Sequence, residues 1–303
     1  MLRPNPQLPE IADLARRVRH LQVVGRNLVE ELLGGEYKSV FKGRGMEFEE
    51  VREYQPGDEV RLIDWNVTAR VGRPFVKQFV EERDRTLFLL VDASASGDLG
   101  SADRTKRETA VELCALIALS ASHNNDRIGL MAFTDEVERL VPPEKGEAHV
   151  LRLVRDLLAF RPQRSGTRIA AAIERLATHV NRRAIVFLVS DFQDDLDDLE
   201  KALKPAALRH DLIAVRIADP RELELPEAGL VELDDLETGE HRLVDTASAT
   251  LRRHYAAAAH ERDESLQRLF RRLQIDALFL RTDRDVVPEL VRFFQTRMRR
   301  QTL

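Results

Sequence analysis

The chain has 303 residues, with 47 basic against 52 acidic side chains for a net charge of −5, and 43% of its residues are hydrophobic. That length suits one large α/β domain with an appendage, and because the charges are interspersed with no basic stripe, nucleic acid is not an expected partner. The apolar runs are of strand length, far short of the ~20 residues of a membrane-crossing helix; Pro4, Pro6 and Pro9 stand where a signal core would be, and Cys114 is the single cysteine, so the expectation is a cytoplasmic chain without an intrachain disulfide.

Residues 10–33 carry Ile11, Leu14, Ala15, Val18, Leu21, Val24, Leu28 and Leu32 at helical spacing before Gly34-Gly35. This predicts an amphipathic helix in need of a partner surface. From Tyr37 the texture changes to short segments and turns. Gln55-Pro56-Gly57-Asp58 fits a type II turn, with Pro and Gly at its two central positions, and residues 75–80 alternate as a strand. Arg52, Glu53, Asp58, Arg61, Asp64 and Arg70 alternate in sign around Tyr54, Ile63 and Trp65. They read as a salt-bridged network pinning an N-terminal helix-plus-hairpin unit, residues 1–85, to a main domain, residues 86–303; a partner-binding face is the other reading. Trp65 is expected in a core or between the units.

Thr86-Leu87-Phe88-Leu89-Leu90-Val91 is apolar without alternation and stops at Asp92-Ala93-Ser94-Ala95-Ser96. Such a run predicts a strand buried on both faces, in the middle of a parallel sheet covered by helices. Residues 105–123 follow as a helix with Cys114 packed inside it, then a strand at 127–133 with an edge partner at 137–141 and helices at 148–160 and 169–180. A second buried strand, 183–189, ends at Ser190-Asp191; a helix near 196–208 and a strand at 211–217 complete the alternation of a doubly wound, mostly parallel α/β sheet. A hairpin at 230–233 and 241–244, a helix at 247–273, a strand at 276–281 and a helix at 286–297 are expected to join the same sheet.

Ligands gather beyond the carboxyl ends of strands where strand order reverses, because the connections diverge there. Asp92, Ser94, Ser96, Thr167 in the loop Ser165-Gly166-Thr167, and Asp191 would supply two carboxylates and three hydroxyls at that place. An all-oxygen set suits a hard cation, Mg²⁺ with Mn²⁺ as the substitute, and does not suit zinc. Two carboxylates roughly 5 Å apart repel by about 3 kcal/mol at an effective dielectric of 20, so the set is expected to be strained without a cation.

Asp92-x-Ser94-x-Ser96 followed by Thr167 and Asp191 resembles the metal-ion-dependent adhesion site of von Willebrand factor A domains. Gly45-x-Glu47-Phe48, Arg52-Glu53-Tyr54-x-Pro56-Gly57-Asp58 and Arg61-x-Ile63-Asp64-Trp65-x-x-x-Ala69-Arg70 resemble the bacterial "domain of unknown function 58" family, whose members carry such a domain. Gly97 stands where that family often has Met, which is expected to loosen the loop without removing a ligand. The resemblance implies a von Willebrand factor A-like fold and direct metal ligation by Ser94 and Ser96. Thr167 would ligate directly or through water, Asp92 and Asp191 mainly through water, and a partner's carboxylate would complete the octahedron. It implies further an adaptor or co-chaperone of a MoxR-type AAA+ ATPase, acting on a client protein, and not an enzyme. The alternatives are a metal-dependent hydrolase on the same oxygens and a structural domain with a relic site. Ser94 stands where an aspartyl-phosphate enzyme would carry a second Asp, and no nucleophile elbow, phosphate-binding Gly-rich loop, dinucleotide fingerprint or His-Glu-x-x-His spacing occurs.

Overall fold

The computed structural model describes residues 46–81, 85–102, 104–234 and 241–301. The helix expected over residues 10–33 lies outside them. The described chain up to Arg85 belongs to one compact unit and that from Thr86 onward to another.

In the first unit β1 (Met46–Glu53) pairs antiparallel with β2 (Phe75–Glu81), and α1 (Trp65–Val71) lies between them in sequence. The predicted turn forms: the Asp58 amide donates to the Gln55 carbonyl at 3.0 Å, and Gly57 takes the positive φ of 112° that a type II turn asks of its third residue. Asp64 caps α1 by accepting from the Asn66 and Val67 amides, and Gly72 ends it in the left-handed conformation. Trp65 is not in the core of this unit. It is 66% exposed, because a helix of less than two turns beside a two-stranded ribbon buries none of its residues.

The second unit is built on a six-stranded sheet in the order β10-β7-β6-β3-β4-β5. Its strands are β3 (Thr86–Asp92), β4 (Arg127–Phe133), β5 (Val137–Glu144), β6 (Ile185–Ser190), β7 (Asp211–Ala218) and β10 (Asp276–Arg281). All pairings are parallel except that of the edge strand β5. The order reverses at β3, which has β4 on one side and β6 on the other, so this is the doubly wound sheet expected. Phe88 and Leu90 face a core formed with α4 (Ile169–His179), α5 (Leu196–Arg209) and α7 (Ala249–Arg272). Alternation puts Leu87, Leu89 and Val91 on the other face, where α2 (Lys106–His123) packs beside α3 (Glu147–Ala159) and α8 (Val286–Gln301). Covered on both sides, β3 is apolar from Leu87 to Val91 and β6 from Ile185 to Val189. Cys114 sits fully buried in α2, and Gly129 of β4 lets the Phe88 ring lie where a Cβ would be 2.7 Å from it.

The hairpin near residue 230 is a correction. β8 (Leu230–Asp234) and β9 (His241–Asp245) pair antiparallel but form their own two-stranded ribbon outside the main sheet. None of their residues is buried, so they lack the double-sided apolar character that a place inside this sheet demands. The short α6 (Pro220–Leu223) follows β7 directly.

Candidate metal centre

Asp92 is the last residue of β3 and Asp191 follows the last residue of β6, so both carboxylates emerge at the reversal point of the sheet. Backbone bonds stitch the loops together there. The Ala93 amide donates to Phe133 at the end of β4, the Ala95 amide to Ser165, and the Arg168 amide to Thr134. The Ser94–Ser96 and Ser165–Thr167 loops are thereby held side by side although they lie some seventy residues apart along the chain.

Four of the five expected residues contact one another directly. Asp92 Oδ1 accepts from the Ser94 amide at 2.9 Å, the Ser94 and Ser96 hydroxyl oxygens are 3.0 Å apart, and the Thr167 hydroxyl lies 3.4 Å from Asp92 Oδ2. The fifth, Asp191, joins Asp92, Ser94 and Ser96 around a cavity of about 20 Å³, room for one water-sized occupant. Gly97 lies in a 3-10 turn closed by its own amide on Ser94 and by Leu99 on Ser96. Arg107 braces that loop, donating to Asp98 at 2.7 Å and to the Ala93 and Ser94 carbonyls.

Sequence reasoning missed three side chains here. Ser190 donates to Asp92 Oδ2 at 2.7 Å and accepts from the Phe192 amide. Lys106, the first residue of α2, puts its ammonium 2.7 Å from Asp191 Oδ2 and 2.6 Å from Glu222 Oε1. Glu222 is held by the capping box of α6, its other oxygen accepting from the Asp219 amide. The signal for Lys106 was in the sequence, since Lys106-Arg107 opens a helix at the end where its dipole disfavours cations. Ser190 required the register that sets β6 beside β3, with Val189 opposite Val91.

Burial, then the negative charge of Asp191, pushes the Asp92 carboxyl up to about 6 against the hydrogen bonds from Ser190 and Ser94. Burial also works against the Lys106 ammonium, but Asp191 and Glu222 outweigh it and raise its pKa. The strain expected between two bare carboxylates is therefore relieved in part from within, by an ammonium that was not foreseen. One sign of an unmet demand remains: Asp191 Oδ1 is buried without a hydrogen-bond partner, an arrangement that costs about 1–3 kcal/mol or more for a charged group. Hydroxyl and carboxylate oxygens, with no histidine or cysteine among the described residues lining the cavity, make a donor set that fits a hard cation.

A larger cavity of about 610 Å³ opens between α4 and α5, with Ile173, Leu176, Leu199 and Ala206 in its wall, and none of the five residues lines it. His179 and His210 stand at the C-terminal ends of α4 and α5, His179 Nδ1 lying 3.0 Å from the Arg175 carbonyl and His210 Nδ1 accepting from the Ala184 amide at 3.3 Å.

With this geometry in place, residues 50–265 match the family described as "Protein of unknown function DUF58". Over 288 residues the chain is 35% identical to the uncharacterized protein Rv1480 of Mycobacterium tuberculosis (strain ATCC 25618 / H37Rv), covering 94% of this chain and 90% of the relative. It is 32% identical over 107 residues to the uncharacterized protein YeaD of Bacillus subtilis (strain 168), covering 35% of this chain and 25% of that protein. Among solved structures, the SpRpn10 VWA domain is matched at 15% identity and a TM-score of 0.41 over 68% of this chain and 93% of that one. A von Willebrand factor type A protein from Catenulispora acidiphila is matched at 13% and 0.40 over 74% and 44%.

Proposed function

We propose, from the premise that this chain belongs to the DUF58 family, that it is a protein-interaction module which binds a partner's carboxylate through Mg²⁺ held by Asp92, Ser94, Ser96, Thr167 and Asp191, with Mn²⁺ as a competent substitute. The observation that carries the reading is the buried, partnerless Asp191 Oδ1 beside the cavity that Asp92, Ser94 and Ser96 also line. The ion, when bound, would supply an electrophilic position open to an acidic side chain from outside. The chain's own residues do the rest. Ser190 and the Ser94 amide fix the Asp92 carboxylate, Arg107 holds the carbonyls of the Ser94 loop, and the bond from Ala95 to Ser165 keeps the Thr167 loop in reach. Asp92 accepts from Ser94, Thr167 and Ser190, which leaves it poorly disposed to act as a nucleophile and favours binding over hydrolysis. The partner in this reading is a MoxR-type AAA+ ATPase, with this chain as adaptor or co-chaperone between the ATPase and a client.

The test is the melting temperature of the wild type with Mg²⁺, with Mn²⁺ and with chelator, since a ligand that binds only the folded state raises it. A rise with either ion that chelator reverses and Asp92→Ala abolishes supports the site. No rise with either ion overturns it. Capture of a MoxR-type ATPase that needs Mg²⁺ and is lost in Asp92→Ala supports the partner, while Mg²⁺-dependent turnover of a generic phosphoester would move the reading to the hydrolase.

A further inference from the structure

Lys106 is an odd neighbour for a cation site. Its side chain is 5% exposed, its ammonium reaches one of the expected metal residues at 2.7 Å, and it stands at the positive end of α2. An unopposed ammonium there would repel a divalent ion. What opposes it is Glu222, 2.6 Å from the same nitrogen and locked in orientation by the Asp219 amide. Asp219, which caps α6 in return, is fully buried and accepts from Ser101 and Thr282. Glu222 is therefore presented by a rigid corner at the end of β7 and does not swing in from solvent.

Resting on the metal-centre reading above, we propose that Lys106 and Glu222 are a charge-compensated pair of positioning residues that sets the cation affinity of the site. Glu222 cancels the ammonium, so three carboxylates and one ammonium leave the formal −2 that balances one divalent ion. Lys106 in turn holds Asp191 by Oδ2, and it is Oδ1 of this cavity-lining residue that stays free of hydrogen bonds. The two members of the pair then act on a bound cation with opposite sign. A purely structural pair would not, since losing either member would damage the site.

The experiment titrates Mn²⁺ into the full chain and counts free ion by electron paramagnetic resonance, for the wild type, Lys106→Gln, Glu222→Gln and the double variant. Glu222→Gln leaves the ammonium uncompensated and should weaken Mn²⁺ binding about tenfold; Lys106→Gln should tighten it about tenfold, and the double variant should return to within about threefold of the wild type. Should Lys106→Gln fail to fold, Glu222→Gln against the double variant carries the same comparison, the double binding about tenfold more tightly. Single variants that shift affinity in the same direction, or a wild type that binds Mn²⁺ while no variant departs from it, overturn the pair alone. A wild type that binds no Mn²⁺ overturns the metal centre, and the pair with it.

Discussion

In the hairpin unit Arg52 meets Asp58 through two hydrogen bonds of 2.7 and 2.8 Å, with side chains 41% and 20% exposed. In the main unit Lys106 meets Asp191 and Glu222 at similar distances, with side chains 5%, 4% and 19% exposed. The Arg52–Asp58 geometry is the better of the two, a bidentate pair. The energetics run the other way, because water screens the first cluster and the protein surrounds the second. A contact list alone would rank these clusters wrongly. Burial decides which of them the fold depends on and which can be removed at little cost.

The largest effect that sharpens this contrast is Lys106→Ala. It strands two carboxylates in a buried site and should cost about 3–5 kcal/mol of folding stability in metal-free buffer, read as a fall in the urea midpoint followed by far-ultraviolet circular dichroism. A fall no larger than that of an ordinary surface variant would mean that the buried cluster is as well hydrated as the exposed one. Next comes Thr105→Ala, in the residue that delivers Lys106 to its place. Thr105 and Glu108 form the capping box of α2, so the loss should be about 1 kcal/mol on the same measurement.

These elements also mark how far the sequence could be read. β3 and β6 were legible because a strand covered on both faces loses the alternation that would hide its end, and Asp92 and Ser190-Asp191 stand out as the polar breaks. The hairpin of β8 and β9 was legible as a hairpin but not as a separate ribbon, since joining a sheet is a long-range event and neither strand carries the buried run that the others do. Ser190 was illegible as part of the site for the same reason, and Lys106, conspicuous as a cation at a helix start, gave no sign of which carboxylates it meets. Lys106 is 85 positions from Asp191, and Ser190 faces Asp92 only through the register between two strands 98 positions apart. The cluster around Arg52 announced itself through alternating charge, and among the described residues Arg52 pairs with Asp58, Glu53 with Arg73 and Asp64 with Lys77.

A smaller effect separates the two regions by pH. His210 is buried at the end of α5, and burial, followed by the charges of Arg209 and Arg183, holds its pKa below the ordinary 6.5. A depressed histidine is neutral in the fold, so its contribution is fully present above about pH 6.5 and is lost as pH falls through the folded value. Protonation would also remove the acceptor that the Ala184 amide uses. His210→Asn should therefore flatten the decline in the circular dichroism midpoint below about pH 6.5. A decline as steep in the variant as in the wild type would place the titrating group elsewhere.

The smallest expected effect is Arg52→Ala, and its smallness is what makes it informative. Trp65 is the single tryptophan, lies in the hairpin unit and is 66% exposed, so its fluorescence follows that unit apart from the helical signal of the main one. Asp58 keeps a second support when Arg52 is removed, because its Oδ2 also accepts from the Gln55 amide at 2.8 Å, and the turn itself is closed by the backbone bond from Asp58 to Gln55. The arginine adds charge to a turn that Pro56 and Gly57 already fix through their backbone angles. Arg52→Ala should leave the Trp65 transition where it is, at low salt and at high salt alike. Asp58→Ala removes the Gln55 contact as well and should move the transition down. If Arg52→Ala moves it as far as Asp58→Ala does, the exposed pair contributes more than solvent screening permits, and the contrast with Lys106 fails at its weaker end.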